Sequence, residues 1–255
     1  MKNKTFNTGY RTLSAFPRPL PYFNTGSSVY EKNLAKALRK EFISKVSRRL
    51  TGHHLRGFEH SFIINYVATH KKNFPYFVRT DIEKFYPSID HKALLTNVQL
   101  AYRDLISLPY VPSSFKKKYV SSIKEWCENQ PLTRGIPIAS PLSAILAPIM
   151  LLPLWLKIKK IFNVPILVFM DDVLIFAKSQ EQLTDIYCLM ENELQENYKL
   201  SMNPAKTHTG RFANSTTNFC GWEFKGGYAR IKEIKMRLFL QRLLKVHNRY
   251  FHKPL

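Results

Sequence analysis

The chain has 255 residues, a formal net charge of +21 and 45% hydrophobic residues, so it is long enough for one large domain or a compact two-part body. Its three cysteines form no Cys-x-x-Cys pair, which argues against a disulfide framework or a zinc site and favours a reducing, cytoplasmic location. No apolar segment follows Met1, so the sequence indicates no signal peptide.

The positive charge is concentrated towards the two ends of the chain. Residues 1–79 carry 15 Lys and Arg against 3 Asp and Glu, and residues 199–255 carry 12 against 2. Residues 80–198 carry 12 against 13 and are almost neutral. Two basic flanks around a neutral centre favour binding of a polyanion such as a nucleic-acid duplex. General solubility and attraction to a membrane surface are the alternatives.

The first predicted elements are an arm and two helices. Residues 1–30 are rich in Pro, Asn, Thr and Gly, which is typical of an extended segment. Apolar residues at four-residue spacing predict a basic helix from Tyr30 to about Leu50, and a second helix is predicted over 59–70. The basic helix could face either phosphate or water.

The middle of the chain predicts a strand, more helices and one long apolar stretch. A strand from Phe77 ends at Asp81, and residues 91–126 contain two helices separated by prolines. Residues 136–156 are mostly apolar and predict a buried helix, although the stretch is nearly long enough to cross a bilayer. A basic run within 91–126 is either a solvated surface or a contact to a nucleic-acid backbone: Lys116, Lys117 and Lys118.

The most informative feature is a pair of adjacent carboxylates, Asp171 and Asp172, between two apolar runs. The runs predict the buried strands of a hairpin, which places both carboxylates at its tip. Charges against an apolar core are costly unless they are neutralised, and a divalent cation is one candidate because hard cations take oxygen ligands. An ordinary acidic turn is the alternative. A strand ending in Asp81 beside this hairpin would gather three carboxylates, as two-metal phosphoryl transfer requires.

Two further helices are predicted after the hairpin, over residues 180–198 and 232–252. The first is acidic and the second is basic. Together with the earlier elements, this order predicts an antiparallel sheet with helices on one face, which is an α+β fold.

Five short motifs resemble those of the reverse transcriptases, and they follow one another along the chain in the order that is typical of the family. Asp81 with Tyr86 resembles motif A, and Phe169–Asp172 resembles the aromatic-x-Asp-Asp box of motif C. The other three segments resemble motif B, motif D with its lysine and the primer grip of motif E: Arg134–Ser143, Leu200–Thr207 and Phe219–Phe224. A weaker match to the segment before motif A lies at His54–Phe58. Two residues depart from the family pattern, since Arg134 and Ala139 stand where Gln and Gly are common.

The resemblance implies roles for these residues. Asp81, Asp171 and Asp172 would be the catalytic residues and would bind two Mg²⁺ ions, for which Mn²⁺ can substitute, with the backbone carbonyl of Ile82 as a further ligand. Tyr86 would stack under the sugar of the incoming nucleotide and select deoxynucleotides, with a plain core aromatic as the alternative. The other substrate-binding residues implied are Arg79, Arg134, Gly135, Pro137 and Lys206, the last of which could instead face solvent. The primer end would be held by Phe219, Gly221 and Trp222. Template and product contacts are expected from Arg56, Lys116, Lys117, Lys118, Arg237 and Arg242.

The implied fold is an α+β right-hand polymerase with a ferredoxin-like palm, N-terminal fingers and a minimal helical thumb. The predicted segments are an extended basic arm, fingers, a palm with a fingers insertion at about 91–130, and a thumb helix: 1–30, 31–78, 79–225 and 226–255.

The implied activity is RNA-directed DNA synthesis from dNTPs, with an RNA template and a DNA product. No membrane is expected among the partners of the protein. The sequence of motif A resembles that of enzymes from diversity-generating retroelements. The short, stand-alone domain resembles bacterial reverse transcriptases of phage defence, and both types commonly work with a structured non-coding RNA. A partner protein or structured RNA would supply part of the grip of the short thumb, and an accessory protein or a second copy of the chain is a further expected partner. The alternatives are template-independent or protein-primed DNA synthesis by the same site, and a catalytically inactive RNA-binding scaffold.

Overall fold

The computed structural model of the chain describes residues 8–10, 19–21, 25–56, 60–138, 140–226 and 228–251. Much of the predicted arm lies outside these ranges, as do Gly57, Phe58 and Ala139.

Helices occupy both halves of the described chain. The N-terminal half contains α1 (Thr25–Arg49), α2 (His60–His70), α3 (Phe85–Ser88), α4 (His91–Ile106), α5 (Ser113–Phe115) and α6 (Ser121–Glu128). The C-terminal half contains α7 (Ser143–Met150), α8 (Leu152–Phe162), α9 (Gln180–Glu193) and α10 (Glu233–Phe251). Two π-helical turns join α5 to α6 and extend α9, and two 3-10 turns lie before α2 and β6: Lys116–Val120, Leu194–Tyr198, His54–Arg56 and Pro204–Lys206.

The strands form three antiparallel groups. A small pair consists of β1 (Thr8–Tyr10) and β2 (Pro19–Pro21). The central sheet contains β3 (Tyr76–Thr80), β4 (Ile166–Phe169), β5 (Asp172–Ala177) and β6 (His208–Arg211), in the order β4-β5-β3-β6. A third sheet has the order β7-β8-β9 and consists of Thr217–Phe219, Trp222–Lys225 and Tyr228–Ile231.

Strand β5 of the central sheet is buried on both faces. Val173 and Ile175 of β5 point into the main core, with α4, α7 and α8, whereas Leu174 and Phe176 point into a second core, with Ile63 of α2. Both sets of side chains are at most 2% exposed. A strand covered on both faces has no polar side, so its sequence is continuously apolar rather than alternating. The α+β architecture predicted from the sequence is confirmed. The prediction that helices cover only one face of the sheet was wrong, because α2 packs on the face opposite to α4, α7 and α8.

The apolar stretch 136–156 is not one helix, so that prediction was wrong. The chain forms α7 and α8 as separate helices that meet at Leu151. Pro153 lies in the first turn of α8, where its missing N–H costs nothing and its fixed φ favours a new helix start. Within the described ranges, no helix is long and apolar enough to cross a membrane.

The side chains of the C-terminal helix α10 are largely uncovered. Residues 233–245 are all exposed, including apolar side chains that a packed helix would bury. These apolar residues are Ile234, Met236, Leu238, Phe239, Leu240, Leu243 and Leu244.

Candidate active site

The register of the central sheet brings the predicted carboxylates to one end of two neighbouring strands. Thr80 of β3 pairs with Val173 of β5, so Asp81 directly follows one strand and Asp172 begins the other. Phe169 pairs with Asp172 across β4 and β5, which leaves a two-residue turn that contains Asp171. The hairpin and strand predicted from the sequence therefore lie side by side, with their acidic ends together.

The electrostatics of the carboxylates reflect their burial and proximity. Burial and then the negative charge of Asp81 raise the pKa of Asp171 to about 6. Burial also raises the pKa of Asp172, although the neighbouring Arg79 opposes the shift. A carboxyl whose pKa is raised has too little positive charge around it, so a cation at this position would stabilise its ionised form.

Two basic side chains accompany the carboxylates. The Nη2 of Arg79 donates a hydrogen bond to Oδ2 of Asp172 at 3.0 Å, and its Nε lies 2.9 Å from Oδ1. The Nη1 of Arg79 donates to the backbone carbonyl of Lys206 at 3.2 Å. Lys206 itself forms an ion pair with Asp81. The side chain of Arg79 is 17% exposed and that of Lys206 is 53% exposed, so Lys206 is the partner that can move away easily.

The chemistry of these residues fits a divalent cation. Among the described residues, no group of three or more His, Cys, Asp or Glu side chains is arranged to hold an ion as it stands. Asp81 and Asp172 are turned towards Lys206 and Arg79 instead. The donors are nevertheless hard oxygen atoms, which Mg²⁺ and Mn²⁺ prefer, and Asp171 carries an insufficiently compensated charge. A rotation of the Lys206 side chain would free Asp81 to join Asp171.

Tyr86 lies between the carboxylates and the motif B loop. Its hydroxyl is 4.0 Å from the sulfur of Met170, and burial followed by the charge of Asp171 raises its pKa. Its backbone carbonyl accepts a hydrogen bond from the N–H of Ile136 at 3.0 Å. Gly135, with φ of 87°, donates its N–H to the carbonyl of Ile89 at 2.7 Å. The segments that resemble motifs A and B are therefore in direct contact.

The other residues of the motif B segment line the same loop. Arg134 is exposed, and its guanidinium donates to the backbone carbonyls of Ser88 and Lys199, each at 3.1 Å. It thus links the end of α3 to the segment that follows the π-helical turn at Leu194–Tyr198. Pro137 is half-buried, and its carbonyl accepts a hydrogen bond from the N–H of Ser140 at 3.3 Å.

The segment that resembles the primer grip is a tight turn next to the carboxylates. Phe219 is 1% exposed and belongs to the second core, so its ring is not available to a ligand. The turn residues Cys220 and Gly221 have φ of 48° and 89°, as a two-residue hairpin turn requires, and Trp222 follows, half-buried. Burial and then the charge of Asp172 raise the pKa of the Cys220 thiol to about 12, which reflects how near this turn lies to the carboxylates.

The candidate nucleic-acid contacts lie on separate elements. Lys116, Lys117 and Lys118 are exposed on the π-helical turn, and Arg237 and Arg242 are exposed on α10. Arg237 also forms an ion pair with Glu233 one turn earlier at 2.5 Å. The backbone of Arg56 belongs to a 3-10 turn, and its side chain lies outside the description.

A pair of histidines beside the hairpin was not assigned a role from the sequence. The Nδ1 of His54 accepts a hydrogen bond from the N–H of Met170 at 3.2 Å, and its ring lies 5.4 Å from that of Phe169. Met170 has φ of 57°, a conformation that is strained for a residue other than glycine. His53 stacks on His54 and pairs with Val168 of β4. The histidines thus hold the turn that carries Asp171, and the only sequence signal was their place just upstream of motif A.

The burial of His53 predicts that acid destabilises the protein. Its side chain is 0% exposed, and burial lowers its pKa well below the ordinary 6.5. The folded chain keeps this imidazole neutral, whereas the unfolded chain takes up a proton as pH falls below 6.5, so acid favours unfolding. We expect this residue to lower the free energy of unfolding by about 2 kcal/mol between pH 7.5 and pH 5.

Urea unfolding at several pH values measures this effect. His53→Gln should lose less stability on acidification than the wild type, whereas His208→Gln, on the exposed strand β6, should keep the wild-type slope. Equal slopes for all three proteins would contradict the assignment to His53.

A four-stranded antiparallel sheet with three carboxylates at the ends of adjacent strands fits the α+β fold of a nucleic-acid polymerase. The family "Reverse transcriptase (RNA-dependent DNA polymerase)" matches residues 7–224. The chain belongs to the reverse transcriptase family. No curated protein matches it in sequence.

Solved telomerase structures share this fold. Telomerase from Candida albicans, in complex with a fragment of telomeric RNA, superposes with a TM-score of 0.63 at 11% identity, over 89% of this chain and 46% of that one. Apo telomerase from Candida tropicalis gives 0.62 at 13% identity, over 89% and 48%. The same enzyme truncated from its C-terminal domain gives 0.58 at 13% identity, over 85% and 52%. The chain therefore spans about half the length of these proteins, and at this identity the likeness concerns the fold alone.

Proposed function

We propose that the chain is an RNA-directed DNA polymerase that adds deoxynucleotides to the 3′ end of a primer. The observation that carries the proposal is the gathering of Asp81, Asp171 and Asp172 at the end of strands β3 and β5, with Tyr86 beside Asp171. An aromatic ring beside acidic side chains supports a site in which the ring lies under the sugar of the incoming nucleotide.

In this proposal the three aspartates, with the backbone carbonyl of Ile82, hold two divalent cations. Such ions activate the attacking hydroxyl and neutralise the leaving pyrophosphate. Arg79 favours the ionised form of Asp172 and orients it through one hydrogen bond from Nη2 to Oδ2 and the close approach of Nε to Oδ1. Lys206, which is half-exposed, leaves Asp81 when a nucleotide binds and pairs with the triphosphate instead. Enzymes of this family generally use divalent metals; the choice of Mg²⁺, with Mn²⁺ as a substitute, belongs to the proposal.

Tyr86 is proposed to exclude ribonucleotides, because a bulky ring under the sugar leaves no room for a 2′-hydroxyl. Tyr86→Ala is expected to raise the relative kcat/KM for rNTPs over dNTPs about a hundredfold, or about 3 kcal/mol of discrimination. Single-nucleotide incorporation with each substrate class measures this ratio.

Tyr110→Ala is the matched control, since Tyr110 is 64% exposed on the loop between α4 and α5. Its nucleotide preference should equal that of the wild type. If Tyr86→Ala keeps the wild-type ratio while remaining active, Tyr86 is a core aromatic and not a sugar gate.

The template requirement is tested by extension of a labelled DNA primer with Mg²⁺ and dNTPs on an RNA template, on a DNA template and without a template. Template-length product on RNA supports RNA-directed synthesis. Product of arbitrary sequence without template, or DNA joined covalently to the protein, favours template-independent or protein-primed synthesis. Tight RNA binding without incorporation under any condition favours an inactive scaffold.

The proposed setting is a bacterial retroelement or an anti-phage defence system in the cytoplasm, in which the enzyme works with a structured non-coding RNA. The support is the resemblance of motif A together with the basic flanks, which carry 15 and 12 Lys and Arg residues. A polyanion bound through such flanks would bind less tightly as salt rises. Sequencing the RNA that copurifies with the protein at low and high salt tests this setting, and a random population of RNAs would argue against a dedicated partner.

The division into an arm, fingers, palm and minimal thumb is likewise part of the proposal. Support for an incomplete thumb comes from α10, whose apolar side chains are exposed throughout residues 233–245. An accessory protein, a structured RNA or a second copy of the chain would cover them. Light scattering with and without the copurifying RNA distinguishes self-association from the other two.

A further inference from the structure

Glu31, in the first half of α1, is a buried acid for which the proposed chemistry has no use. Its side chain is 2% exposed. Its carboxyl oxygens accept hydrogen bonds from two buried donors on different parts of the chain. The indole Nε1 of Trp126, in α6, donates to Oε1 at 2.9 Å, and the hydroxyl of Ser140 donates to Oε2 at 2.7 Å. Removing a carboxyl group from water costs free energy that an apolar residue at this position would not incur.

The hydroxyl of Ser140 is fully engaged by these contacts. Its oxygen accepts from the backbone N–H groups of Leu142 and Ser143, at 3.1 Å and 3.3 Å, and its hydrogen is donated to Glu31. Ser140 is 1% exposed and closes the loop that precedes α7. A hydroxyl that accepts twice and donates once has one defined orientation, so Glu31 determines how this end of the loop is held.

The other end of the same loop contacts the proposed nucleotide site. Gly135 and Ile136 donate their N–H groups to Ile89 and to Tyr86, the residue beside Asp171. Residues 135 and 136 are therefore held by the motif A segment and Ser140 is held by Glu31. In the proposed function, the loop between them would meet the new base pair.

We propose that Glu31 is a positioning residue that sets the conformation of the 134–140 loop and, through it, the binding and selection of the incoming nucleotide. This inference rests on the proposed function, because it concerns the same site. Glu31 acts through Ser140 and does not touch the substrate. A small displacement of the loop would weaken the geometry of the bound nucleotide far more than it would weaken the fold.

The test compares Glu31→Gln, Ser140→Ala and the double variant with the wild type. A glutamine side chain at this position offers one acceptor and one donor group where the site supplies two donors, so one hydrogen bond must be lost. We expect each single variant to raise KM for the correct dNTP about tenfold, to raise misincorporation and to change kcat little. The unfolding temperature should fall as well, because each variant leaves a buried polar group without its partner. The double variant should resemble the single ones, because both remove the same link.

Glu41→Gln is the matched control. Glu41 lies on the same helix but contacts Lys45, Tyr102 and Tyr119. It should leave KM for the dNTP unchanged. A fall in unfolding temperature and kcat without a change in KM or in misincorporation would overturn the proposal and make Glu31 a purely structural residue, as would equal effects of the Glu41 variant.

Hydrogen exchange of the unliganded protein separates this inference from the proposed function. The Glu31→Gln and Ser140→Ala variants should accelerate amide exchange in the peptide that spans residues 134–143 and leave β3 and β5 unchanged. Unaltered exchange in that peptide would overturn the positioning role. Accelerated exchange in a protein that incorporates no nucleotide would overturn the proposed polymerase activity while the role of Glu31 in holding the loop stands.

Discussion

Asp171→Asn is expected to reduce primer extension on an RNA template at least about 10³-fold, which corresponds to about 4 kcal/mol of transition-state stabilisation. The carboxylate is replaced by an amide of the same shape, so the change removes a charged ligand and leaves the packing of the hairpin intact. Because burial and Asp81 raise the pKa of Asp171 to about 6, its negative charge is unfavourable in the folded chain at neutral pH. The variant should therefore unfold at the same temperature as the wild type or higher in EDTA.

Single-turnover extension and thermal unfolding, measured on the same preparations, check both halves of this prediction. Asp185→Asn is the matched control, since Asp185 is an exposed acid on α9, and it should retain full activity. A variant that extends primers at a rate within tenfold of the wild type would remove Asp171 from the catalytic set. A variant that is inactive and also markedly less stable would contradict the second half, because it would show that the charge of Asp171 supports the fold.

Gly52→Ala is expected to lower the free energy of unfolding by roughly 2–4 kcal/mol and to weaken primer extension at least about tenfold. A methyl group on Gly52 would lie 2.0 Å from the carbonyl oxygen of Ile166, which is part of the β4 backbone and cannot step aside alone. The segment 52–54 must therefore move away from β4. That movement breaks the hydrogen bond from the N–H of Val168 to the carbonyl of Gly52, at 2.9 Å, and withdraws His54 from Met170.

Urea unfolding and primer extension test this second prediction against Gly226→Ala. An added methyl at Gly226 meets nothing within 4 Å, so only the φ of 52° opposes it, at a cost of about 1 kcal/mol. Wild-type stability for Gly52→Ala would mean that the 52–54 segment does not press on β4. Reduced stability with undiminished activity at low temperature would mean that the histidines do not position the carboxylates.

The strands and the acidic ends of the site were predictable because their signals are local. The adjacent acids at 171–172 lie between two apolar runs, and Asp81 lies at the end of a predicted strand. Each of these signals is visible within a few consecutive residues. Antiparallel pairing of β3 with β5 is then expected, because both are apolar strands that must be buried. Helix boundaries were predicted to within a few residues where apolar spacing was regular, as for α2 and α10.

What the sequence could not supply were contacts between distant segments. The pairing of Arg79 with Asp172 spans 93 residues, and the contact of Glu31 with Ser140 spans 109. Neither partner carries a local pattern that identifies the other. The division of 136–156 into two helices was also missed, because apolar composition does not indicate where a proline will begin a new helix and where it will be tolerated inside one.

The carboxylates lie at the ends of strands β3 and β5, which pair over five residues in the middle of the sheet, where both faces are covered. Local opening is costly in such a place, because it would expose two cores at once. The acidic site should therefore survive any fraying of the surface and disappear only when the whole domain unfolds. In a temperature series, the loss of nucleotide incorporation and the loss of circular dichroism should follow a single curve.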